Sequence, residues 1–133
     1  MVSSLIGSGA LAIEKLYSQF PDMDAIFVAN DQMALSVLQF FIERKICIPD
    51  QIGIVGFDNI AESAFFYPAL TTINQDQNQV AKVAVAEVIN IIESGWQGLE
   101  PLHPKTIILP PTLIIRQSSV YNAKGGEAQT STR

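Results

Sequence analysis

The 133-residue chain predicts an α/β fold on a parallel sheet. Two observations carry that reading. Helix-spaced segments and strand-like segments alternate through residue 94. The strand-like segments are continuous apolar runs, as in strands covered on both faces by helices, with none of the apolar/polar alternation of a sheet wetted on one side.

Each element has a local reason. GALAIEKLYSQF places apolar residues at 11, 13, 16, 17 and 20, near-helical spacing that predicts a helix over about 9–19, stopped by Pro21 and Asp22. DAIFVA (24–29) predicts a strand buried on both faces. Asp31 then stands where a helix N-cap belongs, ahead of a helix over about 32–45. That helix carries two apolar stripes, Met33, Val37, Phe40 and Phe41 on one and Leu35, Leu38 and Ile42 on the other, so it calls for two neighbours. IGIVGF (52–57) predicts a second buried strand, NIAESAFFYPAL an irregular or helical passage ending at Pro68, and LTTINQ (70–75) a third strand. Asp76 and Gln79 make a capping-box-like start for a helix over about 77–94, closed by Gly95 and apolar on so many sides that burial all round is expected. TIIL (106–109) and TLIIR (112–116), split by Pro110 and Pro111, predict two further short strands. Residues 1–119 form the expected folded unit and 120–133 a disordered tail poor in large apolar groups.

Composition removes several function classes. Apolar residues make up 48% and charged residues 16%, which implies a partner for part of the surface. A net charge of −5 argues against direct nucleic-acid binding, which draws on Lys and Arg to displace counterions. With one cysteine, Cys47, and one histidine, His103, the chain can build neither a disulfide framework nor a Cys/His metal cluster. Cys47, between two isoleucines, is expected buried, and His103, in a Pro-rich loop, on the surface. No secretory leader and no membrane span are apparent, so a cytoplasmic location is expected. There is no nucleophile elbow, Walker loop or dinucleotide fingerprint, and nothing enforces a paired-carboxylate mechanism between Asp31 and Asp58. The expectation is a protein that is not an enzyme and uses no cofactor or metal.

The polar residues at the ends of the strands point to binding. In an open parallel sheet the strands point one way, and ligands bind beyond their carboxyl ends. DAIFVA delivers Asn30, IGIVGF delivers Asp58, and LTTI delivers Asn74 and Gln75, a set of amides and a carboxylate suited to a neutral polyol. Gly56 allows a close backbone approach at that rim. Turn and cap chemistry is the plainer explanation of any one of these residues; the three sites together favour a rim.

VANDQMAL, IPDQIGIVGFDN, YPALTTINQD and ILPPTLIIRQSS, in that order and spacing, resemble the C-terminal region of LacI/GalR-family transcriptional regulators over roughly residues 9–119. The resemblance implies a partial periplasmic-binding-protein-like fold, the C-terminal lobe plus crossover elements of the other lobe. A helix-turn-helix headpiece and the first lobe are not in this sequence, so DNA is reached through the headpiece alone. The implied ligand is a sugar or nucleobase, with Asn30, Asp58 and Gln75 as effector contacts. The implied homodimer interface takes Leu35, Leu38, Ile42, Phe65, Phe66 and Tyr67; the alternative is that the aromatics cover the sheet within one chain. The resemblance also sends the helix of 77–94 and TIIL toward the first lobe, which leaves apolar faces open and predicts a chain that is not monomeric in isolation. Gly53, Asp76 and Ala81 depart from the pattern, standing where serine, proline and glycine are frequent. A fragment of a periplasmic sugar-binding receptor is the alternative reading.

Overall fold

The computed structural model describes residues 2–96 and 105–120, with side chains from residue 7 onward at the amino-terminal end. His103, expected on the surface, and residues 121–133 of the expected disordered tail lie outside the described residues.

A four-stranded sheet runs in the order β1 (Ala25–Phe27), β2 (Gly53–Phe57), β3 (Thr71–Asn74) and β4 (Thr112–Ile114). β1, β2 and β3 are parallel, with Phe27 opposite Val55 and Phe57 opposite Ile73. β4 is antiparallel to β3, which corrects the expectation of a wholly parallel sheet. It comes back to the β3 edge from the opposite direction after the third helix and the segment 105–111, which has no regular element. TIIL forms no strand. It sits in that segment, and Pro110 and Pro111 cannot donate to a ladder.

Two helices cover the sheet. α1 (Val2–Gln19) reaches further toward the amino terminus than the 9–19 expected, because Ser3, Ser4 and Gly7 are weak helix formers that hide the extension. α2 (Asp31–Glu43) packs on it closely at Gly9, where an added Cβ would lie 2.7 Å from the Met33 carbonyl oxygen and collide with the Ser36 hydroxyl. Tyr17, Phe40 and Phe41 meet edge to face, with centroids 5.2–5.7 Å apart, the arrangement aromatic quadrupoles favour. Ile13, Val37, Leu38, Phe41, Ile52, Ile54 and Leu70 complete the core.

Burial alternates along β2, with Ile54 and Gly56 buried and Val55 and Phe57 only partly so. The helices therefore take one face. Phe27 is 59% exposed on the other, meeting Phe57 edge on, which corrects the expectation that DAIFVA is buried on both sides. Cys47 is exposed, contrary to expectation: Ile46 and Ile48 turn toward the core and leave the residue between them facing out.

A 3-10 turn at Ala61–Phe65 links β2 to β3. α3 (Gln77–Trp96) comes next, capped by the Asp76 carboxylate, which accepts from the Gln79 amide at 3.1 Å. α3 runs through Gly95, which does not end it, and it buries no residue, against the expectation of burial all round.

Candidate functional site

Because β1, β2 and β3 are parallel neighbours, their carboxyl ends share one edge of the sheet. Asn30 comes after β1, Asp58 after β2 and Gln75 after β3, so the fold brings the three sequence-predicted contacts to that edge. The depression lined by Leu16, Phe20, Met23 and Ala25 lies at the other end of β1.

At the head of α2 the cap expected of Asp31 is made by Asn30, and Asp31 is buried instead. Asn30 is the N-cap, extended at φ −156°, and its Oδ1 accepts from the Met33 amide at 2.8 Å. Asp31 is the first helical residue and is fully buried. Its Oδ1 accepts from the Thr72 hydroxyl at 2.6 Å and its Oδ2 from the Ile60 amide at 3.0 Å. A buried carboxylate is tolerable when each of its oxygens is hydrogen-bonded, and a helix amino terminus adds favourable dipole. Gly56 is required here: a Cβ would collide with Asp31 Oδ1 and lie 2.8 Å from Leu70 Cδ2.

After β2 the chain turns through two left-handed residues, Asp58 (φ 102°) and Asn59 (φ 50°). The Asp58 amide donates to the Ile73 carbonyl at 2.9 Å and the Asn59 amide to the Thr72 hydroxyl at 3.3 Å. Partial burial, reinforced by the nearby Asp31 carboxylate, raises the Asp58 carboxyl above the ordinary aspartate range.

Arg116, to which sequence reasoning gives no role, holds the far side of this turn. Its guanidinium donates to Asn59 Oδ1 at 2.8 Å, to the Leu70 carbonyl at 2.7 Å and to the Ser63 hydroxyl at 3.1 Å. A lone basic residue after TLII gives no local sign of partners lying 46 to 57 positions upstream. Thr72 escapes sequence reasoning for the same reason. Gln75 is exposed beside Asp76, whose φ of 41° is closed to the proline frequent at that position in the resembled family.

The residues expected at a dimer interface divide. Phe65 is 88% and Tyr67 86% exposed, and Leu35 and Ile42 also face solvent. Leu38 is 2% exposed and belongs to the core, which removes it from any surface: it lies about 60° from both Leu35 and Phe41 around the helix, on the border of the buried arc. Phe66 is partly buried against the core. Among the described residues no group of three or more His, Cys, Asp or Glu could hold a metal, and no helix is long and apolar enough to cross a membrane.

Residues 5–119 match the model of the periplasmic binding protein-like domain. The chain belongs to that family, in its LacI-type branch. It is 33% identical over 115 residues to the HTH-type transcriptional repressor PurR of Glaesserella parasuis, a match covering 86% of this chain and 34% of the relative. The structure of a transcriptional regulator CelR–cellobiose complex superposes with a TM-score of 0.76 at 26% identity, over 85% of this chain and 33% of that one. The Lac repressor dimer bound to operator and the anti-inducer ONPF superposes with a TM-score of 0.72 at 26% identity, over 87% of this chain and 38% of that one. The LacI-type chain thus spans about a third of the length of these relatives, which are transcriptional regulators and not enzymes.

Proposed function

We propose that this LacI-type chain is the effector-binding and dimerising part of a bacterial transcriptional regulator working in the cytoplasm, with DNA contacted by a helix-turn-helix segment that is not in this chain. Residues 1–119 form the working unit and 120–133 a tail. The observation that carries the reading is the shared edge of β1, β2 and β3, where Asn30, Asp58 and Gln75 stand after successive parallel strands. Asn30 spends its oxygen on the α2 cap, so its Nδ2 is the donor it offers. Asp58 accepts from a ligand hydroxyl or ring N–H, and the Gln75 amide does either. Such a set suits a neutral, hydroxyl-rich or heterocyclic molecule, a sugar or a nucleobase.

Thermal-shift screening of the chain against ribose, lactose, cellobiose and hypoxanthine tests this. At least one should raise the melting temperature of the wild type and leave Asp58→Ala unmoved; equal shifts in both proteins, or none in either, would count against the rim. The dimer surface is Leu35, Ile42, Phe65 and Tyr67, with Phe66 beneath it, since exposed aromatics in a short segment form the usual core of an interface. Tyr67→Asp should lower the mass seen in sedimentation equilibrium, and an unchanged mass speaks against that surface.

A further inference from the structure

We propose that Asp31 is a positioning residue for the effector rim: its buried carboxylate, acting through the Ile60 amide and the Thr72 hydroxyl, holds the left-handed turn that presents Asp58. The proposal rests on the reading of Asp58 as an effector contact.

The turn is costly on its own. Two consecutive non-glycine residues at positive φ are each unfavourable, and such a conformation persists only where the surroundings over-determine it. Here three successive amides are tied. Asp58 donates to the Ile73 carbonyl, Asn59 to the Thr72 hydroxyl and Ile60 to Asp31 Oδ2. Two of those three bonds lead back to Asp31, because the Thr72 hydroxyl that accepts from Asn59 donates its own proton to Asp31 Oδ1. Arg116 secures the Asn59 side chain from the other side. The arrangement is dedicated to this purpose at the expense of ordinary packing: residue 56 has to be glycine to make room for the Asp31 carboxylate, and Asp31 leaves the capping of α2 to Asn30. Asp31 also stands close enough to add, after burial, to the upward shift of the Asp58 carboxyl.

The test is made on the full chain without ligand. Asp31→Asn, Thr72→Val and Thr72→Ser are compared with wild type by amide hydrogen exchange and by carbon-13 titration of the Asp58 carboxyl. Exchange at Asn59 and Ile60 in Thr72→Val should rise by about tenfold or more, as expected for loss of a hydrogen bond, and in Asp31→Asn, whose amide keeps one acceptor oxygen where the carboxylate has two, it should rise at Ile60 or, through Thr72, at Asn59, according to which one the amide nitrogen faces, while Val28 and Ile54 keep wild-type protection. Thr72→Ser, which retains the hydroxyl, should restore both amides. The Asp58 midpoint should fall in Asp31→Asn toward the ordinary aspartate value while Val28 and Ile54 stay protected, which separates loss of the Asp31 charge from a general loosening that would also expose Asp58. Uniform acceleration across β1 to β3 would reduce Asp31 to a stability residue and overturn the proposal, as would wild-type exchange together with an unmoved Asp58 midpoint. Should Asp31→Asn fail to fold, the Thr72 pair decides alone. None of these readouts needs an effector, so their failure leaves the effector reading untouched, and a failed ligand screen leaves them interpretable.

Discussion

α2 is rich in Leu and Phe and α3 in Val and Ile, yet α2 buries seven of its 13 residues and α3 none of its 20. The difference lies in the neighbours. α2 finds α1 and β2 close in sequence, and Gly9 lets the helices touch. α3 leaves Val85, Val88, Ile91 and Trp96 largely in solvent among the described residues. An apolar pattern states that a helix needs cover without stating where the cover comes from, and in a chain spanning about a third of its relatives' length the cover need not be local.

Phe41→Ala should produce the largest effect, because Phe41 is fully buried and its removal leaves a cavity costing about 3–5 kcal/mol, whereas Val88→Ala on α3 should stay within about 0.5 kcal/mol. Denaturant unfolding of the two variants checks the contrast directly; equal losses would mean that α3 is covered in solution. Gly56→Ala comes next, with a loss of about 1–3 kcal/mol as the Cβ forces Asp31 or Leu70 aside, read from the shift in unfolding midpoint.

The smallest effect concerns pH. The folded-state pKa of Asp58 lies above its unfolded value, so between the two the native state binds more protons, and stability falls as pH rises through that window. Asp58→Asn removes the dependence. The variant should gain on wild type at neutral pH and lose that advantage as the solution is acidified below the ordinary aspartate value. A stability difference between the two that stays constant with pH would contradict the raised value.

The same contrast between local and distant partners explains what is legible in the sequence. The second and third strands, the Asp76 cap and the near-helical run through Ile13 and Tyr17 depend on residues within a few positions, and they stand as expected. The roles of Asn30 and Asp31 are easily interchanged because either side chain can cap a helix, and the choice is made by Ile60 and Thr72, 29 and 41 positions away. Leu38 reads as part of the surface stripe because it borders both arcs of α2, and only the packing of α1 decides the border. The exposure of Phe27 and α3 is unreadable because continuous apolar runs look the same whether or not their cover is present. β4 is recognisable as a strand, but its direction depends on how it meets the β3 edge, for which the pattern of TLIIR gives no orientation.

The most direct test of the effector rim is a nitrogen-15 chemical-shift titration of the chain with whichever sugar or purine binds in the thermal screen. Perturbations should gather at Asn30, Asp58 through Ile60 and Gln75, at the carboxyl ends of β1, β2 and β3. Perturbations gathered instead at Phe20 through Ala25, at the opposite end of β1, or along α3 would contradict it.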